Sequence, residues 1–181
     1  MDLKMIPINR KNRLQSFPKK TFVEEKKPRV KEMLWGEPTW FLFHTLAEKI
    51  KEEEFRALRK ELLDFILRIC NYLPCPTCAE HATKYLKGIN FDSIQTKENL
   101  KLMLFSFHNE VNKNKGYELF HVNDLNEKYS SAVTINIVQN FFIHFSKKHY
   151  SIKMSVDGFH RQKLLKSFKS WLETHYHSFY A

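Results

Sequence analysis

Residues 55–87 read FRALRKELLDFILRICNYLPCPTCAEHATKYLK. Phe55, Leu58, Leu62, Phe65, Ile66 and Ile69 recur at spacings of three and four, the apolar stripe of an amphipathic helix. Pro74 ends that helix, because proline lacks an N–H and clashes with the preceding turn. Cys75-Pro76 then opens a short helix to about Lys87, and Gly88 and Asn90 break the chain after it. Between the two helices sits Cys75-x-x-Cys78. Thiols at this spacing can close a small, reducible disulfide, and the unpaired N–H groups of a helix start favour the thiolate. Taken alone, such a pair is a redox dithiol, half of a zinc site, or chance.

The same helical period continues outward in both directions. Upstream, Glu37-Pro38-Thr39 supplies an acidic first turn and a tolerated proline. Trp40, Phe43, His44 and Ala47 form the stripe of a helix that ends at a charged joint near Lys51–Glu54. Downstream, Thr96 is an N-cap with Glu98 in the first turn of a helix carrying Leu100, Leu104, Phe107 and Val111 inward. These four helices with short joints predict a compact antiparallel bundle. A short fifth helix follows around Asp124–Tyr129. Two more carry Ile135, Val138, Phe142 and Phe145, and then Leu164, Leu165, Phe168, Trp171, Leu172 and Phe179, with Asp157-Gly158 as the break between them. The expected fold is therefore all-α: a four-helix bundle with a short fifth helix and additional C-terminal helices.

Three segments follow from this reading. Residues 1–30, rich in Lys and Arg with Pro7, Pro18 and Pro28, read as a basic, weakly ordered arm. Residues 31–130 form the helical domain, and 131–181 a helical extension. The extension is expected either to pack on the domain through Phe142, Phe145, Phe168 and Trp171, or to shape a docking or dimer surface.

Composition narrows the function classes. At 181 residues and 43% hydrophobic content, the chain has room for a real core. No apolar run approaches the ~20 residues of a membrane span, and no secretory apolar region opens the chain. The expectation is an intracellular protein. Three cysteines do not make a disulfide scaffold. The net charge of +10 suits an acidic partner, yet Lys-rich helices are ordinarily just solvated, and a nucleic-acid role would leave the dithiol unexplained.

What accompanies the dithiol decides its reading. Trp40 and His44 lie four apart on one helix, and His108 and Asn112 four apart on another, so each pair shares a face. Polar and flat side chains at bundle-facing positions need hydrogen bonds or a stacking partner. Two such helices converging on one Cys-x-x-Cys suggest a pocket for a large aromatic cofactor. Zinc is the competing reading, with Cys75, Cys78, His81 and a distant His108 as ligands, but it leaves Trp40-His44 and Asn109-Asn112 unexplained. Cys70 reads as a buried free thiol behaving as a small hydrophobe, with a resolving or interchain role as the alternative.

Three motifs together resemble the Erv/ALR family of FAD-linked sulfhydryl oxidases. They are Gly36-x-x-x-Trp40-x-x-x-His44-Thr45-x-Ala47, Pro74-Cys75-x-x-Cys78-Ala79, and His108-Asn109-x-Val111-Asn112 followed by Gly116 and Phe120. The Trp35-Gly36 pair and the run from Leu73 to Ala82 are most similar to versions carried by large DNA viruses. The resemblance spans roughly residues 34–130. It implies noncovalent FAD, a homodimer, and thiol oxidation through Cys75 and Cys78 with molecular oxygen as acceptor and hydrogen peroxide as product. For a virus it also implies disulfide formation in virion proteins, in the host cytoplasm or the virion. By the same resemblance, Gly36, Trp40 and His44 would line the cofactor. His108, Asn109, Val111, Asn112, Lys113 and Gly116 would hold its nucleotide portion, and Phe120, Lys128 and Tyr129 would close over it, with Tyr129 where many relatives have tryptophan. Glu37 and Tyr117 stand where basic residues are frequent. The sequence holds no second cysteine pair of the kind that relays electrons in cellular relatives. The expected substrate is therefore a dithiol protein, such as a thioredoxin-like or other Cys-x-x-Cys relay partner, meeting Cys75 directly.

Overall fold

A computed structural model describes residues 33–147 and 152–180. The arm expected over residues 1–30 lies outside them. Among the described residues seven α-helices succeed one another: α1 (Gly36–Lys49), α2 (Glu52–Asn71), α3 (Pro76–Lys87), α4 (Lys97–Lys115), α5 (Asp124–Ser130), α6 (Thr134–Phe145) and α7 (Ile152–His175). Short 3₁₀ turns occupy Phe91–Ser93 and Tyr176–Ser178. None of the described helices is long and apolar enough to cross a membrane.

Local chemistry sets the helix ends. Cys75 is the N-cap of α3, and its sulfur accepts from the Cys78 N–H. Thr96 caps α4 through a reciprocal pair of bonds with Asn99. Gly116 closes α4 with φ 67°, a left-handed conformation that glycine adopts without steric cost. The joint between α1 and α2 is shorter than the sequence suggests, because Glu52, Glu53 and Glu54 form the first turn of α2. There, acidic side chains meet the positive end of the helix dipole.

Helix α1 is the centre of the packing, lying against α4, α5 and α6, while α2 packs on α3 and α7. The shared core contains Leu42, Leu46, Leu62, Ile66, Leu100, Leu104, Phe141, Phe145 and Phe168. Lys101 of α4 reaches Glu48 of α1 at 2.7 Å and Glu98 at 3.4 Å. This is a largely buried ion pair, the kind whose desolvation is tolerated only with close partners.

The extension is part of this core. The Phe168 ring lies 5.0 Å from that of Phe65, and Trp171 lies 5.3 Å from Phe65 and donates its Nε1–H to Glu61. Residues 178–180 are tied to the α1–α2 joint. The Lys51 N–H donates to the Ser178 carbonyl and the Tyr180 N–H to the Lys49 carbonyl, and Ile50 bridges Phe179.

Three sequence expectations are corrected here. Asp157-Gly158 does not break the helices, since α7 runs through both residues from Ile152. An internal glycine costs about 1 kcal/mol, which the buried face of Arg161, Leu164, Leu165 and Phe168 outweighs. Phe179 belongs not to the last helix but to the bridge that follows it. Ile135 is 43% exposed; α6 instead buries Thr134, Phe141 and Phe145, a face rotated from the expected stripe.

Candidate functional site

The redox pair sits where α2 hands over to α3. Pro74 is buried and both cysteines are half-buried. Cys75 and Cys78 are joined as a disulfide with their Cα atoms 5.2 Å apart. Their surroundings differ. The Cys75 sulfur meets the Thr77 hydroxyl and the Cys78 N–H, each at 3.2 Å. Cys78 instead forms part of the wall of a cavity of about 240 Å³. Trp35, Gly36, Thr39, Trp40 and Phe43 from the α1 region enclose that cavity together with Phe107, Val111, Asn114 and Lys115 from α4, and Cys70, Leu73, His81 and Ala82 complete it. A slot with aromatic walls and the Cys78 sulfur in its lining suits a flat ring that reacts with a thiolate.

Next to the slot is an interlocked aromatic stack. Trp40 lies on His108 with centroids 4.1 Å apart and planes 10° from parallel. His44 stacks on Tyr129 at 4.7 Å and 12°. His44 Nε2 and His108 Nδ1 share a hydrogen bond of 3.1 Å, so one ring donates and the other accepts. Phe120 flanks His108 at 6.2 Å. The Lys128 ammonium lies over the rings of Phe41, Phe120 and Tyr129 at 5.2–5.9 Å, a set of cation–π contacts.

Electrostatics keep both imidazoles neutral. Burial, then His108, then Lys128 push His44 down to about 3. Burial, then Lys128, then Lys115 push His108 down to about 4. Burial and the nearby Glu37 carboxylate raise the Tyr129 hydroxyl. Burial alone raises the Cys70 thiol, which is free and buried.

The residues singled out in the sequence fall into three groups. Gly36, Trp40, Val111 and Cys78 line the cavity. His44, His108, Phe120, Lys128 and Tyr129 make the stack beside it. The remainder shape the backbone or face solvent. Asn109 spends its amide on Phe120, donating to its carbonyl at 2.9 Å and accepting from its N–H at 2.8 Å. Asn112 donates to the Glu118 carbonyl at 3.2 Å. Gly116 ends α4, and Lys113 is exposed. Periodicity makes Phe43 and Phe107 core residues and Cys70 reads as a buried thiol, yet all three also line the cavity. The zinc reading finds no support: Cys75 is bonded to Cys78 and His108 to His44. Among the described residues no three His, Cys, Asp or Glu side chains are placed to hold a metal.

The family model described as Erv1 / Alr family matches residues 37–130. A protein of invertebrate iridescent virus 3, named an FAD-linked sulfhydryl oxidase, is 32% identical over 80 residues, covering 44% of this chain and 54% of its own. The African swine fever virus FAD-linked sulfhydryl oxidase is 26% identical over 99 residues, covering 55% of this chain and 82% of its own. The mitochondrial FAD-linked sulfhydryl oxidase of Schizosaccharomyces pombe is 26% identical over 96 residues, with 52% and 53% covered. The chain thus spans about half the length of the first and third of these relatives. No solved structure matches it.

Proposed function

The chain belongs to the Erv1/Alr family, and from that premise we propose that it is an FAD-linked sulfhydryl oxidase that makes disulfides in a dithiol protein. The observation carrying the proposal is the placement of a Cys75–Cys78 disulfide with Cys78, and not Cys75, on the wall of the flat aromatic cavity.

The two sulfurs then divide the work. A substrate thiolate attacks the Cys75 sulfur, forming a substrate–Cys75 disulfide and breaking the Cys75–Cys78 bond. The electron pair leaves on the Cys78 sulfur, which faces the cavity. The second substrate thiol, giving up its proton to solvent, attacks the substrate's own sulfur and frees Cys75 as a thiolate. The Cys78 N–H, which already points at the Cys75 sulfur, receives that charge at the positive end of α3. The substrate departs as a disulfide. Bound against Trp40 and Cys78, FAD would supply the two-electron acceptor and the route to molecular oxygen, with hydrogen peroxide as product. Trp40, Phe43 and Phe107 would exclude water from a ring bound beside Cys78, and the neutral His44–His108 pair adds no further charge to a stack that already carries Lys128.

Within residues 1–181 the cysteines are Cys70, Cys75 and Cys78, and in the proposed reaction the substrate brings its own thiol pair to Cys75. A thioredoxin-like or other Cys-x-x-Cys partner suits that demand. The family resemblance supports a homodimer, and the viral relatives support action on virion proteins in the host cytoplasm or the virion. Purified protein is expected to be yellow and to consume oxygen with a small dithiol. Cys75→Ser and Cys78→Ser should each abolish turnover while flavin stays bound. A colourless preparation, or full activity in either variant, overturns the assignment.

A further inference from the structure

Residues outside the family match touch the redox loop directly. Tyr72 caps the C-terminus of helix α2, and only Leu73 and Pro74 separate that residue from Cys75. Two adjacent residues of α7 hold Tyr72 from both sides. Arg161, only 4% exposed, donates its Nε–H to the Tyr72 carbonyl at 2.9 Å. His160 stacks on the Tyr72 ring at 5.7 Å and 15°. The Arg161 guanidinium also lies over the Phe145 ring at 5.6 Å, so its own position is fixed by α6.

The physical need for such a clamp lies in the backbone. The last carbonyls of a helix have no partner within it, and a helix end without one frays. Fraying at Tyr72 would pass through two residues to the cap of α3 and so displace Cys75 relative to Cys78. Misplacing a reacting group by about 1 Å can cost on the order of a hundredfold in rate.

We propose that Arg161, assisted by His160, is a positioning residue for the Cys75–Cys78 pair: α7 fixes the point at which the chain leaves α2 and thereby the direction from which Cys75 enters α3. The inference rests on the thiol-oxidase reading for its kinetic consequence, but not for its structural one. It gives residues 152–175 a role in the chemistry beyond packing. Neither Arg161 nor His160 lines the aromatic cavity, whereas Leu73 and Cys78 do, so turnover is read per bound flavin.

The test compares wild type, Arg161→Met, Arg161→Lys and His160→Ala as full-length proteins. Turnover of dithiothreitol is measured per bound flavin, and amide hydrogen exchange is followed at Leu73, Cys75 and Cys78. In Arg161→Met, kcat should fall about tenfold at unchanged KM, and those amides should exchange about tenfold faster than in wild type while α1 and α4 keep their protection. Arg161→Lys, which keeps a donor within reach of the carbonyl, should recover most of both. Wild-type turnover per flavin in Arg161→Met, or faster exchange spread evenly over all helices, overturns the proposal. Should Arg161→Met fail to fold, wild-type exchange and turnover in both Arg161→Lys and His160→Ala would overturn it equally. A wild type without flavin or oxygen consumption defeats the oxidase reading, and the exchange measurement still judges the clamp.

Discussion

Acid should destabilise this protein through two histidines. His44 and His108 stand at about 3 and about 4 in the fold, against 6.5 for the free side chain. Unfolding therefore lets each ring take up a proton that the fold excludes. Between about pH 6.5 and pH 4 the unfolded chain binds more protons than the native one, so stability rises with pH across that window and is lost as the pH falls through it. A displacement of one unit is worth about 1.4 kcal/mol. His108 is displaced by about 2.5 units, or some 3 kcal/mol, which screening of a partly exposed ring reduces to about half. His44 is buried and contributes more, but the rings share one hydrogen bond and titrate as a pair, so the two values do not simply add. About 3 kcal/mol for the pair is a sizeable part of the 5–15 kcal/mol that holds an ordinary domain together. Urea unfolding of wild type and of His44→Gln/His108→Gln, followed by circular dichroism from about pH 7 to about pH 4.5, measures the difference. The wild type should lose about 3 kcal/mol more than the double variant over that range. Parallel pH profiles would refute the reasoning, because carboxylates titrate alike in both.

Other consequences can be checked separately. Phe168→Ala empties a fully buried position among Phe65, Phe141, Phe142 and Trp171. It should cost about 3–5 kcal/mol and lower Tm by roughly 10 °C in a thermal melt. Cys70→Ser should keep at least half of the oxygen consumption, since burial holds that thiol protonated; complete loss would place Cys70 on the electron path. Asn109→Ala strands the Phe120 N–H and carbonyl, so it should loosen the loop after α4, with a lower Tm and faster flavin release in a stopped-flow dilution.

Much of this was legible in the residues. Proline-bounded cysteines predict the start of α3, Thr96 predicts the start of α4, and apolar spacing predicts which faces of α1, α2 and α4 turn inward. Spacing cannot separate an inward residue that fills the core from one that lines a void, and so Phe43, Phe107 and Cys70 read only as core. Nor does an asparagine announce whether its amide serves a ligand or, as with Asn109, the backbone eleven residues on. The Tyr72–Arg161 and Glu61–Trp171 bonds join residues 89 and 110 positions apart, and no local pattern encodes a partner at that distance. The continuation of α7 through Gly158 has the same origin: local preference opposed the helix, and tertiary burial overrode it.

The ties between residues 49–51 and 178–180 also set an order of events during synthesis. At roughly 5–20 residues per second, the ribosome needs on the order of ten seconds to travel from the α1–α2 joint to the segment that covers it. Throughout that interval Ile50, fully enclosed in the finished fold, has no Phe179 to meet. Loop closure over so long a stretch is slow by its nature. The nascent chain therefore passes through a stage in which the cysteine-bearing helices are already made while the joint beneath them stands open, and that is when it most needs a chaperone.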